Sequence, residues 1–323
     1  MSVDGEIESL SVRQIDISAD DDAVRLDRWL RRQLPDVPYG QLAKWLRTGQ
    51  IRVDGRRAKP GHRLSEGQTV RLPPLTAAEP KTRALIVPVD AADATSLQDS
   101  MLFRDEALIV VNKPSSLAVQ GGSKTTRHLD GMLDALRFEA AERPRLVHRL
   151  DKDTSGVLLL ARDATTARQM AAQFRHRDVE KIYWALVAGI PVTEEGRVDL
   201  PLLKTPGRGG EKMRPTKEGG QSAVTQYAIV DHAGRKVAWL SLNPLTGRTH
   251  QLRAHCAALG TPIVGDGKYG GKVAFIPGLA SKLHLHARSV AFSHPKTGES
   301  MEITAPLSGH CAESWNKLGF SPN

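Results

Sequence analysis

His148-Arg149-Leu150-Asp151-Lys152-Asp153-Thr154-Ser155-Gly156 runs directly into Val157-Leu158-Leu159-Leu160-Ala161. A short unbroken apolar run bounded by a polar turn predicts a strand buried on both faces. A polar turn feeding such a strand is a place where a rigid core can fix a reactive side chain. The alternative is a turn whose Asp151 and Asp153 only accept backbone N–H groups, as aspartates commonly do.

Three sharper readings can be tested on the residues. Asp151-x-Asp153-x-Ser155-Gly156 begins like a calcium loop, but the twelfth position, which should carry a bidentate Glu, is Arg162. Gly260-x-x-x-x-Gly265 is followed by Asp266-Gly267-Lys268 rather than Lys and Ser or Thr, so it is not a nucleotide loop. An aspartate-nucleophile phosphatase would place paired aspartates after a core strand. Here the apolar run comes after them, and activity without magnesium would separate the two chemistries.

Downstream, Ala164–His176 carries a helical pattern, and Lys181-Ile182-Tyr183-Trp184-Ala185-Leu186-Val187 reads as a central strand that turns Tyr183 inward or toward a cleft. Ala238–Leu242 reads as a strand, Asn243–Gly247 as a turn, and Thr249–Leu259 as a helix with Leu252, Cys256 and Leu259 toward the core and Gly260 as its stop. Arg248 then stands beside a helix N-terminus, where N–H groups, dipole and guanidinium can meet an anion. His250, Arg253 and His255 extend that polar lining without the spacing of a helical metal pair, so no metal site is expected.

Upstream, residues 24–73 hold 12 Lys and Arg against 4 Asp and Glu, while the whole chain carries a net charge of +9. Nearly the entire excess therefore sits in one small segment, which reads as a polyanion-binding unit attached to an almost neutral body. The plainer reading is a solvated basic face. Leu26, Trp29, Leu30 and Leu34 repeat at helical spacing, and a second helix is expected at Tyr39–Thr48 with Gly49 as its stop. Ile51-Arg52-Val53 followed by Asp54-Gly55 signals a hairpin, and Thr69–Leu72 a last strand. Both tryptophans are assigned to packing. Residues 1–23 are read as a tail or strand, 74–100 as a linker with one strand near Leu85–Val89, and 101–323 as the larger domain. Lys204–Gly220, rich in Gly and basic residues, is expected to be an exposed loop.

With 323 residues, the chain is long enough for two domains. Two cysteines, Cys256 and Cys311, are too few for a disulfide framework, and no apolar run approaches a membrane span. A cytoplasmic protein is expected, with no membrane contact.

Residues 24–73 resemble the small RNA-binding domain named after ribosomal protein S-four, through Arg25-Leu26-Asp27, Leu46–Gly55 and Gly67-Gln68-Thr69-Val70. The larger domain resembles the RluA family of pseudouridine synthases. The resemblance rests on His148-Arg149-Leu150-Asp151-x-x-Thr154-Ser155-Gly156, Lys181-x-Tyr183, Leu245–Arg253 with His255, Pro262–Asp266, and Leu285-His286-Ala287. It implies an α+β class: a mixed, mostly antiparallel sheet with flanking helices and a central RNA cleft. It also implies that Asp151 is the catalytic aspartate, Tyr183 the aromatic residue against the target base, Arg248 the basic partner of the aspartate, and Arg149 the residue that takes the place of the flipped nucleotide. RNA contacts are expected from Arg25, Arg28, Arg31, Arg32, Lys44, Arg47 and Arg52 in the small domain. Around the cleft they are expected from Arg149, Lys113, Lys181, His250 and Arg253.

The implied reaction detaches uracil from ribose, turns it and rejoins it through carbon five, which needs no redox partner, donor or cofactor. A carboxylate can attack ribose or base, or stabilise positive charge on the sugar. Val111–Gly122 together with the small domain is most similar to enzymes of the RluC type, which act on large-subunit (23S) rRNA. Ser116 stands where the family usually has Gly, and Gln120 where near relatives have His. The RluD type is the nearest alternative. A ribosome-assembly factor that binds rRNA without catalysis is the alternative from another class. The expected partner is 23S rRNA or a large-subunit assembly intermediate, engaged by a monomer.

Overall fold

The computed structural model describes residues 12–34, 37, 39–74, 90–121, 125, 127–206, 212–216 and 218–322. Two compact units divide the chain between residues 86 and 87. The strand expected near Leu85–Val89 lies outside the described residues, as do residues 1–11 of the expected tail and residues 207–211 and 217 of the expected loop.

In the first unit, β1 (Arg13–Asp16), α1 (Leu26–Gln33), α2 (Tyr39–Thr48), β2 (Arg52–Val53), β3 (Arg56–Arg57) and β4 (Thr69–Leu72) follow in order. The strands form one antiparallel sheet in the order β1-β4-β2-β3. Asp54 and Gly55 take φ of 49° and 73°, the paired left-handed geometry that a two-residue hairpin requires. Leu26, Trp29, Leu30, Leu42 and Leu46 fill the core, and the Trp29 indole N–H donates to Asp21 at 2.7 Å. Trp45 packs against the same core, so both tryptophans serve packing. Thus β1, inside the segment read as a tail or strand, supplies an edge strand.

The second unit contains α3 (Ala91–Asp99), β5 (Met101–Arg104), β6 (Leu108–Lys113), α4 (Leu129–Met132), β7 (Arg145–Leu146), β8 (Ser155–Ala161), α5 (Ala164–His176) and β9 (Glu180–Ala188). It continues through β10 (Glu195–Asp199), β11 (Leu202–Thr205), β12 (Lys212–Pro215), β13 (Val224–Ala233), β14 (Val237–Pro244), α6 (Gln251–Ala258), β15 (Leu285–Ser293), β16 (Ser300–Thr304) and α7 (Gly309–Lys317). A ten-stranded sheet runs β10-β13-β14-β9-β15-β8-β6-β5, with β16 on β15 and β7 on β8. Its pairings are antiparallel except β8 with β15, which is parallel. The fold is α+β with a mixed sheet.

Every residue of β8 is buried, as its unbroken apolar run requires. The parallel pair exists because Gly156, at φ 109°, lets β8 come close to Ala287 of β15. The helix α3 lies within the segment read as a linker. Asp90 caps it by accepting from Ala92 N–H at 3.2 Å, and Leu97 joins the core with Leu129, Leu133 and Leu136. The segment read as an exposed loop holds the end of β11 and all of β12, a strand pair anchored by Leu202 and Met213 in a core with Ala223 and Ala254.

Candidate active site

The loop before β8, the start of β9, and the turn from β14 into α6 surround one cleft of about 480 Å³. Asp151, Tyr183, Arg149, Lys181, Arg248, His250 and Arg253 all line it, so seven of the eight residues expected around the cleft converge. Arg175 and Arg177 at the end of α5 add to the wall, and Asp151 is the one carboxylate among the described lining residues.

The loop carrying Asp151 is held at both ends. His148 accepts from Leu159 N–H of β8 at 2.9 Å and stacks on Phe174 of α5, with ring centroids 4.6 Å apart. Burial, reinforced by Lys181, pushes the His148 imidazole down to about 3, so it stays neutral and accepts. On the other side, Lys113 reaches from the end of β6. Its ammonium donates to the carbonyls of Pro114 and Leu117, each at 2.9 Å, and of Lys152 at 3.1 Å.

Lys113 is fully buried, so the expected RNA contact is corrected: this side chain is a strut under the loop, its three donors used by three carbonyls. Burial lowers its pKa to about 8, opposed by the charges of Asp153 and Asp151.

Tyr183, half-buried on β9 between β14 and β15, packs against the two cores that meet at the cleft. Burial first, and the negative charge of Asp151 second, raise its hydroxyl well above the ordinary phenol range. It remains a neutral ring at physiological pH. Lys181, two residues earlier, has its pKa lowered by burial and by Arg177.

The turn into α6 is built around Gln251. Its amide oxygen accepts from the Thr246 hydroxyl at 2.7 Å and the Arg248 N–H at 3.1 Å, and its amide nitrogen donates to Val224 O and Thr225 Oγ1. The expected helix start at Thr249 is corrected to Gln251, because His250 takes a left-handed φ of 51°.

Arg248 lines the cleft, but its Nε donates to the Ser222 carbonyl at 3.0 Å and it forms no ion pair with Asp151 among the described residues. Among the described residues, His250 alone stands within ion-pair distance of Asp151. His250 Nε2 lies 3.8 Å from Asp151 Oδ2. Arg253 is buried and grips Asp266 through two bonds of 2.7 and 2.8 Å, which correct its expected place on the RNA surface. Burial opposes the Arg253 charge, but Asp266 and then Asp151 overcome it and hold its pKa above the ordinary value. Arg253 on α6, five positions beyond the arginine singled out from sequence, thus feels the charge of Asp151 without an ion pair to it among the described residues. Only the Arg-x-x-x-x-Arg spacing hinted at the choice.

In the first unit, Arg28, Lys44 and Arg47 are exposed. Arg25 pairs with Asp27, Arg32 pairs with Asp21, and Arg52 folds back on the carbonyls of Gly49 and Gly55. Three of the expected RNA-contacting arginines therefore bond within their own unit.

A carboxylate among cations beside an aromatic ring suits a polyanion that presents a planar group. Residues 107–258 match the family model described as RNA pseudouridylate synthase, and residues 24–70 match the S4 domain. The chain is 37% identical to "Ribosomal large subunit pseudouridine synthase C" of Escherichia coli O157:H7, covering 96% of this chain and 98% of that protein. It is 38% identical to the protein of the same name from Escherichia coli strain K12, covering 93% and 94%. A solved structure, human RNA pseudouridylate synthase domain containing 4, is 31% identical with a TM-score of 0.59, covering 71% of this chain and 97% of that one. The chain belongs to the RNA pseudouridylate synthase family and carries an S4 domain: it is an RNA pseudouridine synthase, an isomerase.

Proposed function

We propose that this synthase isomerises uridines of large-subunit (23S) rRNA, with Asp151 as the carboxylate that meets the flipped uridine. The observation that carries the reading is the place of Asp151: a lone carboxylate in a cleft walled by Arg149, Arg175, Arg177, Lys181 and Arg248. Similarity along nearly the whole chain to proteins named for the large ribosomal subunit supports the substrate class.

In this reading the cations hold phosphates and the Tyr183 ring packs on the displaced base. Arg149, exposed at the cleft, enters the space the base has left. The negative charge of Asp151 in turn favours the charged forms of Arg253 and Lys113. Arg28, Lys44 and Arg47 of the first unit contact structured RNA, and the protein acts as a monomer in the cytoplasm. Breaking the base–ribose bond and rejoining through carbon five conserves atoms and electrons, so no donor or oxidant enters the balance.

The test is incubation with unmodified large-subunit rRNA in EDTA, followed by carbodiimide labelling and primer extension. New stops with the native protein and none with Asp151→Asn are expected. Stops with both proteins, or stops confined to another RNA, would overturn the proposal.

A further inference from the structure

We propose that His250 and Tyr269 are positioning residues for Asp151, a relay that aims one N–H of His250 at the carboxylate and ties it to the β11–β12 hairpin. The chain of contacts is continuous. Met213 N–H on β12 donates to the Tyr269 hydroxyl oxygen at 3.0 Å, that hydroxyl lies 3.0 Å from His250 Nδ1, and His250 Nε2 lies 3.8 Å from Asp151 Oδ2.

In the proposed relay the phenol's one proton is directed to His250 Nδ1, while its oxygen accepts from Met213. A neutral imidazole then carries its own proton on Nε2, facing Asp151. The opposite tautomer would aim a lone pair at a carboxylate.

The groups facing His250 keep it neutral. Burial disfavours its charged form, Asp151 opposes that effect, Arg253 and Lys268 reinforce it, and Asp266 opposes it; the balance lowers its pKa. Asp151 therefore meets a neutral donor, which steadies an ionised carboxylate without cancelling its charge. The 3.8 Å separation exceeds hydrogen-bond reach, and a closure of about 1 Å makes the bond.

The backbone supports the same reading. His250 occupies the N-cap of α6 in a left-handed conformation and its side chain makes no capping bond. Strain at a non-glycine residue without a capping return is characteristic of functional positions. Tyr269 is fixed from both faces of the relay: its ring meets the His250 ring nearly edge-on at 5.7 Å, with Lys212 and Arg253 at 4.9 and 5.2 Å from its centroid.

The relay rests on Asp151 being the reacting carboxylate, so Asp151→Asn accompanies every assay. The test is a double-mutant cycle on single-turnover pseudouridine formation with the full chain, read between pH 5.5 and 9. Tyr269→Phe should slow the native protein about tenfold and slow His250→Gln less than about twofold, because an amide has no tautomer for Tyr269 to set. His250→Ala should lose about tenfold to a hundredfold, part of which His250→Gln restores, with RNA dissociation constants unchanged. The acid limb of the native rate profile should be absent from His250→Gln. An equal Tyr269→Phe effect in both backgrounds, or a full rate in His250→Ala, would overturn the relay. Activity in Asp151→Asn would instead overturn the reading of the aspartate.

Discussion

Lys113, fully buried at the end of β6, donates from its ammonium to the Lys152 carbonyl at 3.1 Å, immediately after Asp151. Removing it leaves three carbonyls, that of Leu117 buried, without their donor. Lys113→Met should lower stability by about 2–4 kcal/mol and slow isomerisation more than RNA binding. Urea denaturation with single-turnover kinetics checks this; unchanged stability and rate would show that the loop holds itself.

Gly156 is constrained by neighbouring backbone. A Cβ there would stand 2.2 Å from the Ala287 carbonyl oxygen and 2.6 Å from its nitrogen, at a φ of 109°. Gly156→Ala should lower stability by about 3 kcal/mol or more. A shift in the urea midpoint equivalent to less than about 1 kcal/mol would mean that β8 and β15 can move apart at little expense.

Arg248 and Arg253 should separate by phenotype. Arg253→Ala leaves Asp266, which is 1% exposed, without its guanidinium, and should destabilise the fold by about 3 kcal/mol while abolishing most activity. Arg248→Ala frees only the Ser222 carbonyl, so it should weaken RNA binding while leaving the melting temperature nearly unchanged. Matched variants compared by calorimetry and RNA titration decide between them, and a reversed pattern would restore Arg248 as the partner of Asp151.

Acid should unfold the second unit in a defined window. Burial pushes His148 down to about 3 and His284 and His286 each to about 4, with the charges of Lys181, His310 and Arg288 adding respectively. These folded-state values lie below the ordinary histidine value near 6.5, so both states are neutral above it and stability is full there. As pH falls from about 6.5 to 4, the unfolded chain takes up protons that the folded chain refuses, and stability drops by about 1.4 kcal/mol per pH step for each histidine. His284→Gln should lessen that slope by one histidine's share in urea titrations. A flat profile across the window would contradict the assignment.

In the small unit, the exposed Arg28, Lys44 and Arg47 should act through phosphates. Each alanine variant should lower the slope of log affinity against log salt by about 0.7–0.9 without unfolding the unit. Arg52→Ala should instead destabilise the Asp54-Gly55 turn by about 1 kcal/mol, since its guanidinium holds Gly49 and Gly55. Filter binding across a salt series, paired with thermal denaturation, distinguishes the two behaviours.

The legibility of this fold tracks how local each cause is. The apolar run of β8, the Asp54-Gly55 turn and the Ala164–His176 helix depend on neighbours in sequence, and each could be read directly. Lys113 could not: burying an ammonium depends on carbonyls supplied by Pro114, Leu117 and the distant Lys152. Arg248 and Arg253 carry the same guanidinium five positions apart. Which one is buried on a carboxylate and which stays at the cleft depends on Asp266 and Ser222, whose positions only the folded chain sets. Tyr269 had no chemical motif around it, and its role arises where β12, α6 and the loop before β8 meet.

The most direct test of the central claim is tritium release from uridine-labelled large-subunit rRNA by the native protein and by Asp151→Asn at matched RNA occupancy. The account requires release with the native protein and none with Asp151→Asn, while both bind the RNA with the same affinity. Release by Asp151→Asn at the native rate would contradict it.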